Sequence, residues 1–439
     1  MPEEVYSSRN PRGSPLYQIC DDYFEDFQRI YDEQYEEKYG YRRQMVQDVV
    51  YKFLNCGILQ QGFARIRCDN CSHEYLLAFS CKTRIFCPSC NQRRALEFAE
   101  WILDEILHDV PIRTCTFTIP KMLRPYFRYH HRLYLKLSRC AYETISDLFQ
   151  AATGDDKAAP GMIVAIHSGG KILNHHPHLH ALLTNGCFDN KKKTFHLLPY
   201  ILDEKKIEEL FRHKVLKMML EEEKITELMV EKLLNWNHSG FNIHLGKLLP
   251  VEDSEDRERT ARYLMHSPVS LEKMTYLPEV GKVIYGSRNG EKNVYDALDF
   301  LALATSHIPN KGEHRIIYYG HWSKKSRGIK KKEEACKSDS SKFEPSSSSK
   351  ECRLRWAHFI KKIWNKDPLI CPRCSQKMQI AGFIHDPQVI RKILVHLKLW
   401  KVPCRPPPKK KDFIFEDCHY DGDTSWDFYC KDPIEDSAA

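Results

Sequence analysis

The chain has 439 residues, 42% hydrophobic and 29% charged, with 67 Lys and Arg against 59 Asp and Glu, a net charge of +8. At about 150 residues per domain this is material for two or three domains, and the composition excludes global disorder, a collagen-like repeat and a membrane-embedded chain. No apolar run approaches about 18 residues, and MPEEVYSSRN lacks the apolar stretch of a secretory signal, so a cytoplasmic protein with no membrane partner is expected. The mild positive charge permits a nucleic-acid partner without demanding one. Seventeen Cys in such a chain point to zinc rather than to disulfides.

Residues 1–64 read as a helical segment. Tyr23, Phe27, Tyr31 and Tyr35 recur every four residues, one face of a helix, and the stripe reads as packing. A second helix is expected over residues 41–59, broken at Cys56-Gly57. A zinc-binding domain with a following helix is expected at 65–108. It opens with RIRCDNCSHEYLLAFSCKTRIFCPSC, where Cys68-x-x-Cys71 and Cys87-x-x-Cys90 are two tight turns 15 residues apart. Four thiolates at that bite suit one tetrahedral Zn²⁺ and leave no open position, so the expected zinc is structural. Cys81 and His73 are spare donors. The basic residues nearby, among them Arg84, Arg93 and Arg94, read either as a surface for DNA phosphates or as a solvated charged face. From Asn91 a helix is expected, with Ala95, Phe98, Ala99, Ile102, Leu103 and Ile106 on its apolar face.

Beyond Pro111 the pattern turns to strands. RTCTFTI (113–119) is rich in β-branched residues. GMIVAIHSGG (161–170) and HLHALLTNG (178–186) read as neighbouring strands, and FNIHLGKLL (241–249) as a further one. A charged helical insertion lies at 201–234. Interleaved strands and helices leave both α+β and α/β open. The Lys- and Ser-rich stretch 324–352 reads as a disordered linker. The remainder, 353–439, reads as a small C-terminal domain and tail. Its Cys371-Pro-Arg-Cys374 is half a metal site, which Cys352, Cys404, Cys418 or His419 could complete.

Two further groups could do chemistry. In His175-His176-Pro177-His178-Leu179-His180, residues two apart on a strand share a face, so His178 and His180 point the same way. Two imidazoles on one face of a rigid strand can hold a divalent metal with open positions. His167 on the preceding strand could supply a third ligand or be an ordinary histidine. Tyr263, in RYLMHSPVS (262–270), carries a phenol able to attack a phosphodiester whose oxygen a metal polarises. With 22 Tyr in the chain, composition alone does not single it out.

Taken in order, FLNCGILQQGFARIRC (53–68), SCKTRIFCPSC (80–90), HSGGKILNHHPHLHALL (167–183), ARYLMHSPVSLEKM (261–274), LALATSHIPNKGEHRIIYYG (301–320), DPLICPRCSQKMQIAGFIHDPQVIRKILVHL (367–397) and RPPP (405–408) resemble the rolling-circle transposases of the insertion-sequence ninety-one family, within the HUH endonuclease superfamily. The resemblance spans most of the chain. It implies an α+β fold: an antiparallel sheet with flanking helices at 109–323, the His pair on a central strand and the Tyr on a helix, with a C-terminal α/β or zinc-ribbon-like segment. It implies cleavage and rejoining of single-stranded DNA at transposon ends and target, in the bacterial nucleoid. His178 and His180 would bind Mg²⁺ or Mn²⁺, and Tyr263 would attack to leave a 5′-phosphotyrosine and a free 3′-OH. Two-tyrosine members carry a second Tyr four residues before the first. Arg259 stands there, so the chain resembles a single-tyrosine variant, with Arg259 and Arg262 near the DNA backbone. Tyr276, thirteen residues further on and beyond a Pro, is a poor substitute. A homodimer is compatible with this reading. The rivals are a transposase-derived zinc protein that binds DNA without cleaving it, and a metal hydrolase of small molecules.

Overall fold

The computed structural model describes residues 10–400 apart from 84, 108–109, 156, 190–193, 199–202, 237–238, 287–289, 291, 330–357, 359–360 and 363–366. Arg84, Cys352, Cys404, Cys418, His419, RPPP and most of the expected linker lie outside the described residues. Residues 324–329 of that linker are helical, not disordered. The cause is Arg327, whose guanidinium lies over the rings of Tyr318 and Trp101 (5.1 and 5.5 Å) and donates to the Trp322 carbonyl.

Pro15 and the Ser14 hydroxyl, which accepts from the Tyr17 amide, start α1 (Pro15–Gln34). Phe27, Tyr31 and Tyr35 are buried along it, so the aromatic stripe is a packing face. Next come α2 (Glu36–Tyr39), α3 (Gln44–Leu54), β1 (Phe63–Arg67), β2 (Glu74–Ala78) and α4 (Pro88–Glu105), which Pro88 opens.

The central sheet follows. It comprises β3 (Ile112–Thr118), β4 (Gly161–Gly169), β5 (His175–Thr184), β8 (Asn242–Leu249) and β12 (Ile316–Gly320), in the order β12-β4-β5-β3-β8, every pairing antiparallel. Between these strands the chain forms α5 (Arg124–Tyr129), α6 (Arg132–Thr153), β6 (Gly186–Asp189), β7 (Thr194–Leu197), α7 (Glu204–Glu221) and α8 (Glu227–Asn235). It continues through α9 (Ser254–Leu264), β9 (Met274–Leu277), β10 (Lys282–Gly286), β11 (Lys292–Asp296) and α10 (Ala297–Ser306). Strand alternation sorts the side chains into two layers. Val164, Ile166, Leu179, Ala181 and Leu183 pack under α6 and α7 with Phe149, Phe211 and Val215. Ile163, Ala165 and Leu182 face α4 and α9 with Phe98, Ile102, Ala261 and Leu264. This is an α+β architecture with helices on both faces, as expected.

The N-terminal helices do not stand apart as a 1–64 unit. They share a core with residues 269–308. The Tyr35 hydroxyl donates to Asp299 (3.0 Å) and Arg43 donates to the Ile308 carbonyl (2.6 Å). The Tyr276 hydroxyl on β9 donates to Asp22 (2.9 Å), which commits that phenol to the helix contact. The C-terminal β13 (Gln379–Ile384) and α11 (Pro387–His396) return to the front of the chain, with β13 pairing antiparallel to β1.

One buried carboxylate ties α6 to the start of β12. Glu313 accepts from His131 Nδ1 (2.8 Å) and the Asn310 amide (2.9 Å) and pairs with Arg315 (3.1 Å). Burial opposes its charge, but Arg315 and then His131 more than offset this and hold the carboxyl down at about 2, from 4.5. A carboxyl with a depressed folded pKa adds stability that is full above its unfolded pKa and is lost as pH falls toward the folded value. The melting temperature is therefore expected to fall more steeply from about pH 5 to about pH 3 in the wild type than in Glu313→Gln. Parallel curves would remove the carboxylate from this role.

Candidate active site and cysteine clusters

β4 and β5 bring three histidines onto the face that packs on α9. His167 is directly opposite His178, Ala165 is opposite His180, and all three imidazoles offer ligand atoms within 4.8 Å of one another. Each ring is anchored through one nitrogen. His178 Nδ1 donates to the His176 carbonyl (2.7 Å), and His167 Nε2 donates to the Leu264 carbonyl (3.1 Å). A carbonyl only accepts, so these bonds leave the lone pair on His178 Nε2 and on His167 Nδ1. His180 Nδ1 meets the Thr116 hydroxyl (3.2 Å) on β3. Burial, then the His180 and His178 rings, push His167 well below its ordinary pKa. Burial, then His178 and His266, hold His180 at about 3, and burial lowers His178. At neutral pH all three are uncharged, so a cation meets lone pairs and no proton has to leave first. The donor set thus fits a divalent metal, with its anchored second nitrogens acting as an orienting outer layer.

Tyr263 lies on α9, whose Asp253 cap accepts from the Asp256 amide. Ala261 and Leu264 are buried beneath it, whereas Tyr263 is 51% exposed. Its ring stands edge-on to His180 at 5.0 Å and lies 6.2 Å from His167. Burial raises its pKa, so the phenol is protonated at neutral pH. Arg259 and Arg262, four and one residues before it, are exposed. Positions 259, 262 and 263 share a helix face. Asp256 pairs with both Lys247 and Arg259. Arg93 pairs with Glu97 at 2.6 Å. Arg94 departs from expectation. It is 7% exposed on the inner side of α4, near Asn91 and Phe98, and presents no surface for DNA.

The four cysteines expected around one zinc do not meet. The structure divides them. Cys87 and Cys90 gather with Cys81 and Cys56, and Cys68 and Cys71 gather with Cys371 and Cys374. Within each group all four sulfurs lie within 4.8 Å of one another. The reason is topological. β1 and β2 carry the first Cys pair away on their own hairpin, while Cys87 caps α4 in the N-terminal core beside the end of α3. His73 belongs to neither group. Cys56 was readable only as a helix breaker, and Cys81 only as a spare donor.

The first cluster is wired to the tyrosine helix. Asn91, one residue past Cys90, is buried, donates to the Met265 carbonyl (2.7 Å) and accepts from the Ile85 amide (3.2 Å). Ser267 donates to the Ile85 carbonyl, and Ile85 has the left-handed φ of 67°. A β-branched residue tolerates that φ only when its surroundings impose it. Asn91→Ala is expected to cost about 1–3 kcal/mol of stability. Amide hydrogen exchange at the end of α9 should quicken in this variant while its zinc content stays unchanged. Wild-type exchange there would uncouple the cluster from the α9 helix.

A family described as "Transposase zinc-binding domain" matches residues 26–119, and one described as "Putative transposase" matches residues 161–329. The former takes in Cys56, Cys81, Cys87 and Cys90, which supports a structural zinc. The latter takes in the three histidines and Tyr263. The chain is 25% identical over 375 residues to the "Transposase for insertion sequence element IS801" of Pseudomonas savastanoi pv. phaseolicola, covering 79% of this chain and 85% of that protein. It is 23% identical over 346 residues to the "Putative transposase y4qJ" of Sinorhizobium fredii, covering 73% and 84%. No solved structure matches. The family matches and the relatives together define a transposase, an enzyme acting on DNA. The chain belongs to the insertion-sequence ninety-one family of transposases. Among the described residues no helix is long and apolar enough to cross a membrane.

Proposed function

We propose that this transposase nicks and rejoins single-stranded DNA through a 5′-phosphotyrosine on Tyr263, in a rolling-circle cycle carried out at the nucleoid. The observation that supports this most directly is a half-exposed phenol beside three convergent, neutral imidazoles on the central strands. His167, His178 and His180 would hold Mg²⁺ or Mn²⁺, which polarises the scissile phosphate when bound. The Tyr263 oxygen bonds to phosphorus, the P–O3′ bond breaks, and the 3′ oxygen leaves and takes a proton from water to become the free 3′-OH. The phenol proton passes to water or to the neighbouring His266 ring, which is 5.6 Å away and which burial keeps uncharged. Arg259 and Arg262 hold backbone phosphates beside the nucleophile.

The test is incubation with single-stranded oligonucleotides from the ends of the element, followed by denaturing electrophoresis. A shifted, SDS-stable band is the expected result. Its absence with every end sequence, alongside retained DNA binding, would favour a binding protein without cleavage. Arg cannot form a phosphotyrosine, so each protomer is expected to carry one covalent strand at a time. In mixed homodimers of wild-type and tagged Tyr263→Phe protomers, only wild-type protomers should acquire DNA. Label on the tagged protomer would place a second nucleophile elsewhere.

A further inference from the structure

We propose that Cys68, Cys71, Cys371 and Cys374 hold a second Zn²⁺, closing a zinc ribbon whose two halves come from distant parts of the chain. The zinc-binding match at 26–119 contains only half of this ligand set. Cys68 Sγ lies 3.5 Å from Cys374 Sγ, and Cys71 Sγ lies 3.5 Å from Cys371 Sγ. These separations are far too long for a disulfide of about 2.05 Å. They suit thiolates sharing a tetrahedral ion at about 2.3 Å.

The two halves are built alike. The Cys68 amide donates to the His73 carbonyl and the Cys371 amide to the Gln376 carbonyl, each at 2.8 Å and each five residues on. The residue after each second Cys is a serine in the left-handed region, Ser72 at φ 55° and Ser375 at φ 56°. Each turn closes on a strand-like pair in the same register, Arg67 opposite Glu74 and Ile370 opposite Lys377. Each turn brings its two sulfurs to a common centre. Two unrelated loops have no reason to share such geometry.

The surroundings complete a small domain. Ala64, Ile66, Leu369, Met378 and Ile380 pack around the sulfurs, and Ile390 and Leu394 of α11 cover Phe63. Gly62 enters β1 at φ 110°, where a Cβ would meet the Phe79 ring at 2.7 Å. So apolar a patch is small, and a metal is the usual supplement in a domain of this size. The ion would tie β13 and α11 to the N-terminal hairpin, so that residues 367–400 are held by coordination as well as by strand pairing.

Zinc per chain in the full-length protein, purified in reductant, reads this directly and is independent of any DNA reaction. Two ions are expected, with X-ray absorption showing four sulfurs per zinc. Cys371→Ser with Cys374→Ser should hold one. A conservative Cys374→His variant should keep two, with one nitrogen entering the coordination. Should the serine variant fail to fold, alkylation of the native wild type supplies the answer. Cys371 and Cys374 should resist iodoacetamide until a chelator is added. One zinc in the wild type, or free alkylation of this pair in the folded chain, would overturn the proposal.

Discussion

Tyr263→Phe is expected to abolish the covalent protein–DNA adduct to below detection while leaving single-strand binding within about twofold of wild type. The substitution removes one oxygen. The ring, its edge-on contact with His180 and the buried Ala261 and Leu264 that seat α9 all stay. Folding should therefore be unaffected, and melting temperature with circular dichroism checks this. On the proposed reading phosphate contacts and base stacking come from other side chains, Arg259 and Arg262 among them, so affinity should survive. The phenol is protonated at neutral pH, so on the proposed reading its attack depends on help from the site. Tyr276 is the nearest Tyr in sequence on that side, and its hydroxyl is engaged by Asp22 on α1. A residual adduct in Tyr263→Phe, mapped by mass spectrometry, would move the nucleophile.

The histidine face was legible because the strand period is two. His178 and His180 had to share a side whatever the topology, and Leu179 between them had to enter the opposite layer, as it does. His167 was less legible. Its register opposite His178 depends on how β4 and β5 pair, which no local pattern specifies. The aromatic stripe of α1 announced a packing face but not its partner, because α10 lies some 260 residues away and nothing local points to it.

The cysteine ligand sets were misread for a related reason. Proximity in sequence favoured joining Cys68 and Cys71 to Cys87 and Cys90, yet each Cys pair finds its complement elsewhere. One local signal did separate them. Cys68-x-x-Cys71 and Cys371-x-x-Cys374 are each followed by Ser, whereas Cys90 is followed by Asn91 in a running helix. A left-handed residue after the second Cys belongs to a hairpin turn, and a helical one belongs to a helix start. Arg94 was misassigned because composition cannot tell which face of α4 is covered. Its spacing of four from Phe98 already placed it with the inner face.

His178→Ala and His180→Ala are each expected to lower DNA cleavage on the order of 100-fold or more, since each removes one of three donors with no neighbouring carboxylate in the set to replace it. Brief chelation should do the same, with the cluster of Cys56, Cys81, Cys87 and Cys90 keeping its zinc over that interval. Add-back then separates the candidates for the ion. Phosphate and water oxygens alone suit Mg²⁺ and Mn²⁺ alike, but neutral imidazoles raise affinity along the series toward softer divalent ions. Mn²⁺ should therefore restore activity at a concentration roughly tenfold below Mg²⁺. His167→Ala divides a three-histidine site from a two-histidine one. If His167 only supports the Leu264 carbonyl at the end of α9, its loss should lower stability and leave the Mn²⁺ requirement unchanged. If it is a ligand, its loss should raise that requirement by about tenfold or more at unchanged melting temperature. Thr116→Val, which leaves all three donors in place but frees His180 Nδ1, should give a smaller shift in the same direction. Cleavage at full rate in excess chelator, with zinc still bound, would remove the histidines from the chemistry and leave Tyr263 to act without them.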